Sequence, residues 1–340
     1  MESINWKELS FSYMKTDYNV RCYYRNGQWG ELEVSSSEYV PMHMAASCLH
    51  YGQEAFEGLK AFRGADGKVR IFRMEENARR MQSSAECVLM AVPPVELFCE
   101  AVKKVVKLNE RFIPPYGTGA SLYIRPLLVG TGARVGVNPA DEYLFVVFVT
   151  PVGPYFKAGF KPTNVAIMRG FDRAAPLGTG HVKVGGNYAA SLRSGQLAHE
   201  HNYAAVLYLD AKEKKYIDEC GPANFFLIKG NKYVTPASGS ILPSITNKSI
   251  MQIAESLGLE VERRRITVEE LSGFDEAGEC GTAAVITPVG RIDDFDNPGV
   301  SYVFSPDGQP GKVSEMLYNT LRGIQLGEIE DKFGWNTILD

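Results

Sequence analysis

No surplus of basic charge runs through this sequence: 36 lysines and arginines stand against 40 aspartates and glutamates, a formal net charge of -4 at pH 7. Neutralising a phosphate backbone takes a broad basic surface, so nucleic acid is not an expected partner. Cysteine is present but unpatterned. The six residues, Cys22, Cys48, Cys87, Cys99, Cys220 and Cys280, form no CxxC pair and no grouping with histidine at metal-ligand spacing; they read as reduced, mostly packed thiols, and no metal site is expected. Long apolar runs are missing, and Met1 to Lys7 holds no basic region leading into an apolar stretch. No membrane contact is expected, and the location expected is the cytoplasm. Internal repeats, low-complexity tracts and long charge blocks are lacking as well. Small-molecule chemistry is what these absences leave.

What is present begins with 340 residues, 45% of them hydrophobic, enough for two cores rather than one. Apolar residues return every three or four positions from Asn77 to Met90 and from Val95 to Phe112, with Pro93-Pro94 breaking the run, so two helices are predicted. Tyr143 to Thr150 is apolar and rich in branched and aromatic residues, as a strand buried on both faces requires. Proline and glycine then crowd between Pro151 and Pro162 and mark a joining loop. The expected division is a smaller N-terminal α/β domain over 1–150, a loop over 151–163 and a larger C-terminal domain over 164–340. Short strands are predicted at 204–210, 216–219, 224–228 and 233–235, and helices at 247–257 and 314–326.

Gly178-Thr-Gly-His-Val-Lys183-Val-Gly-Gly-Asn-Tyr188 places a lysine between valines in a glycine-rich segment opening an alanine-rich helix. Partial desolvation there disfavours the ammonium and supplies an amine able to attack an aldehyde. A surface lysine beside a turn fits this stretch as well. Asp218-Glu219-Cys-Gly-Pro-Ala-Asn224-Phe225 ends a strand on an acid before a tight turn. Buried, Glu219 needs a cationic partner such as a protonated pyridine nitrogen; exposed, it is an ordinary turn acid. Gly239-Ser-Ile-Leu-Pro-Ser-Ile245-Thr246 leads into an amphipathic helix whose N-terminus suits a phosphate, although Thr246 can equally serve as a plain N-cap. Cys280-Gly-Thr282-Ala283-Ala284 repeats the small-residue pattern that brings backbone donors close to an anion. An amine, an acid and two anion cradles together describe a pyridoxal phosphate (PLP) site.

Lys183 to Leu192, Glu219 to Phe225, Ser240 to Thr246 and Gly281 to Ala284 resemble the branched-chain aminotransferases. The resemblance extends to Leu49-His-Tyr51-Gly-Gln-Glu-Ala-Phe56-Glu57-Gly58-Leu-Lys-Ala-Phe62, to Phe72–Ala85 and to Ser121-Leu-Tyr123-Ile-Arg125-Pro126, so it spans nearly the whole chain in order. It implies an α+β (mixed α/β) two-domain enzyme of fold type IV with its cofactor at the domain interface. The implied reaction is ping-pong transamination between leucine, isoleucine or valine and 2-oxoglutarate, giving branched 2-oxo acids and glutamate.

The same resemblance implies that Lys183 is the catalytic Schiff-base lysine, that Tyr188 meets the cofactor's phenolic oxygen, and that Glu219 pairs with the pyridine nitrogen. Leu242 would pack against the ring. Arg80, Ile245, Thr246 and Thr282 match phosphate contacts, and Thr282 with Ala283 would receive the substrate carboxylate. Phe11, Phe56, Tyr123, Arg125 and Tyr155 match residues around the substrate side chain. Tyr51 and Val137 match residues supplied by a second subunit, which implies a homodimer. Two departures stand out: Ala284 and Thr287 occupy the places of a redox-sensing CxxC found in some members, and Pro222 stands where others carry a hydroxyl.

Other readings fare worse. Leu127 to Gly136 looks like a strand entering a glycine-rich turn, but Val137-Asn-Pro139 interrupts the helix a dinucleotide fingerprint needs. Within fold type IV, a D-amino acid aminotransferase or a lyase on a chorismate-derived amine is disfavoured by Tyr123-Ile-Arg125-Pro126. A catalytically silent cofactor-binding protein would leave the pocket matches without purpose.

Overall fold

The computed structural model describes residues 4–6, 8–153 and 159–339. Its helices and two sheets make an α+β protein whose chain divides into two compact units. The first comprises Met1–Lys157, Val182–Gly185 and Gly323–Asp340, the second Ala158–His181 and Gly186–Arg322.

Among the described residues the first unit carries a nine-stranded antiparallel sheet. Its path runs Asn336–Leu339, Val69–Phe72, Leu59–Arg63, Ser121–Gly130, Tyr143–Val152, Asn19–Arg25 and Gln28–Trp29, with Glu33–Ser35 and Glu54–Phe56 paired at the side. The helices Met74–Cys87 and Val95–Leu108 bury stripes at helical spacing: Met74, Asn77, Ala78, Met81 and Ala85 in one, Phe98, Ala101, Val102, Val105 and Val106 in the other. These stripes form one core with Leu122, Ile124, Phe145 and Val147 of the sheet. Leu144 and Val146 point the other way into a second cluster with Val129. The strand Tyr143–Val152 is thus buried on both faces, as its unbroken apolar sequence predicts.

The second unit holds a nine-stranded mixed sheet ordered Ile217–Cys220, Ala205–Leu209, Thr163–Ile167, Val285–Asp294, Glu276–Gly281, Asn224–Lys229, Lys232–Pro236 and Glu260–Arg264, with Ser301–Val303 at the side. Phe225, Leu227, Ala277, Val289 and Ile292 form its core with Leu207 and Ile217. Helices Gly185–Glu200, Ile245–Ser256 and Lys312–Leu326 follow the patterns read at Lys183, at Asn247 and at Ser314.

The expected division over 1–150, 151–163 and 164–340 differs from these units at two places. The strand Asn336–Leu339 pairs antiparallel with Val69–Phe72 and so returns to the first sheet. Val182–Gly185 also groups with the first unit, because Lys183 is tied there by its backbone on both sides. With both segments included, the first unit is the larger. Hydrophobic spacing along the chain carries no trace of such returns, since both depend on pairings far apart in sequence. Among the described residues no helix is long and apolar enough to cross a membrane, and all six cysteines are free thiols.

Candidate functional site

In the first unit, the strand Glu54–Phe56 fixes the segment carrying Lys183. The Phe56 amide donates to the Lys183 carbonyl at 3.1 Å, and the Lys183 amide donates to Ser84 Oγ at 3.1 Å. The Gly185 amide donates to Glu54 Oε1. Held by these bonds, the ammonium lies 4.6 Å from the centroid of the Phe56 ring, a cation–π contact. Burial lowers the Lys183 amine to about 8 from its ordinary 10.5, the nearby Arg80 cation pushes the same way, and Glu57 and Tyr123 oppose. The partly desolvated amine read from the glycine-rich segment is therefore present.

Tyr123 and Arg125 alternate along Ser121–Gly130 and so share a face. Arg125 donates from Nη2 to the Tyr123 hydroxyl at 3.0 Å, and its guanidinium lies 4.8 Å from the Phe56 centroid. Phe11 meets Tyr123 edge-on with centroids 5.2 Å apart. Gly58 permits this packing, since a Cβ there would run into the Tyr123 hydroxyl. Lys183, Phe56, Tyr123, Arg125 and Phe11 are thus brought together. Arg125 Nε is buried with no hydrogen-bond partner among the described residues, an orphaned donor suited to a carboxylate.

Arg80 projects from Met74–Cys87 onto Glu57, donating from Nε to Oε1 and from Nη2 to Oε2, each at 2.7 Å. Asn77 adds a third donor to Glu57 at 2.7 Å. Glu57 is fully buried. Tyr51 and Val137, by contrast, are exposed at 42% and 80%, as is Val135, whose carbonyl accepts the Tyr51 hydroxyl. Tyr155 lies outside the described residues.

In the second unit, Glu219 is buried where Ile217–Cys220 ends. Its Oε1 accepts from the Leu242 amide at 3.0 Å and pairs with Arg173 Nη2 at 2.7 Å; its Oε2 accepts from Asn224 Nδ2 at 2.6 Å. Burial raises this carboxyl above the usual carboxylate range, and the Arg173 cation is the largest opposing influence. A carboxylate offers about four lone-pair sites, so three donors leave room for one more, such as a protonated ring nitrogen.

The helix Ile245–Ser256 is capped by Ser244, whose Oγ accepts from the Asn247 amide at 3.2 Å. Thr246 is buried one residue inside the helix, so capping, the simpler role open to it in sequence, falls to Ser244. The turn Gly281–Ala284 precedes Val285, a β-branched residue held at φ +66°, and strain of this kind gathers at ligand-binding turns. Leu242 and Ile245 lie on either side of Ser244, with Leu242 half-buried and Ile245 buried. Thr282 and Ala283 are half-buried in their turn, and Tyr188 is half-buried in the first turn of Gly185–Glu200. An acid with spare acceptor capacity, a capped helix N-terminus and a strained small-residue turn suit PLP.

Sequence reading did not assign roles to Glu57, Arg173, Asn224 or Asn247. Glu57 and Asn224 lie inside the motifs quoted above, whereas Arg173 in Gly170-Phe-Asp-Arg173 has no local pattern that separates it from a surface arginine.

The amino-transferase class IV family model matches residues 54–292. A branched-chain-amino-acid aminotransferase of Haemophilus influenzae is 48% identical over 342 residues, covering 98% of each chain. Another, of Helicobacter pylori, is 47% identical over 338 residues with the same coverage of 98% on both sides. The crystal structure of the Escherichia coli branched-chain amino acid aminotransferase superposes with a TM-score of 0.79 at 30% identity, covering 95% of this chain and 99% of that one. A branched-chain amino acid aminotransferase solved in complex with N-(5'-phosphopyridoxyl)-L-glutamate gives 0.77 at 28% identity, with coverages of 96% and 99%.

Proposed function

The chain belongs to the class IV aminotransferases, a PLP-dependent family of fold type IV, and from that membership we propose that it moves amino groups between branched-chain L-amino acids and 2-oxoglutarate. The arrangement around Lys183 carries this reading: an amine lowered to about 8, over Phe56, beside a pocket that is apolar at Phe11 and Phe56 and cationic at Arg125.

Bound PLP supplies an aldehyde carbon for an amine to attack and a protonated ring that accepts electrons from the substrate α-carbon. At pH 7 an amine of pKa about 8 is neutral roughly one time in ten, hundreds of times more often than an ordinary lysine. Lys183 Nζ is thus the amine that would hold the cofactor, and it is the base that would take the α-proton. Glu219 keeps a proton on the ring nitrogen, with Arg173, Asn224 and the Leu242 amide holding its carboxylate in place. We assign Arg80, Ile245, Thr246 and Thr282 to the cofactor phosphate, Tyr188 to its phenolic oxygen and Leu242 to its ring. Thr282 and Ala283 take the substrate α-carboxylate. Phe11, Phe56 and Tyr123 exclude water from the side chain, and Arg125 receives the second carboxylate of glutamate; the relative solved with phosphopyridoxyl-glutamate supports that donor.

Exposure of Tyr51, Val135 and Val137 supports a homodimer in which Tyr51 and Val137 serve the neighbouring subunit's site. A cytoplasmic enzyme is the accompanying proposal. The test is a coupled assay of PLP-loaded protein with leucine and 2-oxoglutarate, with D-alanine as the contrasting donor. Glutamate formation from leucine with parallel double-reciprocal lines is expected; turnover with D-alanine alone would overturn the reading.

A further inference from the structure

Behind Glu219, four uncharged polar side chains lie buried in the second unit: Asn224, which holds the Glu219 carboxylate, and Tyr233, Thr235 and Asn247, which have no role in the proposed chemistry; they are exposed at 5%, 0%, 1% and 7%. Buried polar groups survive in a core when all their hydrogen bonds are made, and these make theirs to one another. Asn247 Nδ2 donates to Asn224 Oδ1 at 3.1 Å and to Thr235 Oγ1 at 2.9 Å, while its Oδ1 accepts from the Tyr233 hydroxyl at 2.7 Å. Asn224 Nδ2 donates to Glu219 Oε2 at 2.6 Å and to the Leu242 carbonyl at 3.1 Å.

The chain of bonds has a direction. Thr235 spends its one proton on the Phe225 carbonyl at 2.8 Å, so toward Asn247 it can only accept. That obliges Asn247 to present its NH2 group to Thr235, and the second proton of the same group then reaches Asn224 Oδ1. Asn224 in turn has only its NH2 group left for Glu219. A reversed Asn224 amide would set a carbonyl against the carboxylate, so the far end of the chain fixes which group faces Glu219. Asn247 is also the third residue of Ile245–Ser256, and its backbone amide completes the Ser244 cap.

We propose that Asn247 is a positioning residue that ties the Glu219 carboxylate, through Asn224, to the N-terminus of Ile245–Ser256, making the ring-nitrogen contact and the phosphate contact one hydrogen-bonded body. The proposal rests on the assignment of Glu219 and this helix to PLP.

Three variants of the PLP-loaded enzyme test it: Asn247→Leu, with the same branching but without hydrogen bonds; Thr235→Val, which removes only the hydroxyl that sets the direction; and Glu219→Gln as the control. The readouts are the nitrogen-15 resonance of ring-labelled PLP and the PLP dissociation constant from fluorescence titration. Asn247→Leu is expected to move the resonance toward unprotonated pyridine and to weaken PLP binding by about tenfold, the loss of roughly one to two buried hydrogen bonds. Thr235→Val moves both the same way by less, and it decides the matter if Asn247→Leu does not fold. An unmoved resonance in Glu219→Gln overturns the underlying assignment. A moved resonance in Glu219→Gln, with Asn247→Leu and Thr235→Val both unmoved and binding PLP like the unsubstituted enzyme, overturns the relay alone.

Discussion

Glu57 and Arg80 form a two-bonded fork in the first unit, both contacts at 2.7 Å and the carboxylate fully buried. Such a pair adds little over an apolar substitute, but removing one partner strands the other charge. Glu57→Ala should therefore lower the unfolding free energy by about 3–5 kcal/mol in urea titrations. Glu57→Gln should cost less, since its amide oxygen still accepts from Arg80. Equal, small losses in both would show that water reaches Arg80.

Lys183 has a folded-state pKa of about 8, below its ordinary 10.5. Between those values the unfolded chain binds more protons, so stability from this group rises with pH. Below pH 8 the cation is held in a place that disfavours it, and the cost is relieved as pH climbs through 8 toward 10.5. Cofactor-free Lys183→Met should then melt above the unsubstituted protein at about pH 7, with the gap closing by about pH 10. The same variant should show no turnover. A gap that widens with pH would contradict the desolvated lysine.

For Arg125 the orphaned Nε and the contact with Tyr123 predict a selective effect. A charge-assisted bond to the second carboxylate of glutamate is worth about 1.5–3 kcal/mol, and leucine gains nothing comparable. Single-turnover rates of Arg125→Ala should fall at least about tenfold more with glutamate than with leucine. Equal losses, accompanied by lower thermal stability, would make Arg125 a brace for Tyr123 and nothing more.

Glu219→Gln should keep the cofactor and lose most turnover, because an amide does not hold a proton on the ring nitrogen as a carboxylate does. Arg173→Leu removes the main influence opposing the rise of the Glu219 carboxyl. Its acid limb in kcat against pH should shift upward, since Glu219 must be ionised to act and now ionises at higher pH. An unchanged limb would detach Arg173 from the chemistry.

How much of this was legible in the sequence depends on the distance over which each feature acts. Tyr143–Val152 and Val95–Leu108 declare themselves because burial repeats along the strand or helix itself. Asn19–Arg25 does not: it carries Arg21, only 7% exposed and satisfied by Asn19 and by the carbonyls of Ser37 and Tyr39, so a charged residue sits where the pattern calls for an apolar one. In the site, Lys183 and Glu219 stand beside glycine-marked segments that can be read locally. Lys183's attachment to Ser84 spans 99 positions, and Asn247's hold on Asn224 spans 23, so neither leaves a mark on the residues around it.

The strand Asn336–Leu339 lies at one end of the first sheet, against Val69–Phe72, whose four residues are all buried. During synthesis the ribosome delivers Val69–Phe72 early and its partner only after the whole of 158–322 has emerged. Throughout that interval a short, largely apolar edge waits with its backbone donors and acceptors unpaired, which is the condition that invites strands of other chains to dock. Pairing moves the open edge from Val69–Phe72 to Asn336–Leu339, whose residues are less buried, so the hazard this strand lessens is one of timing.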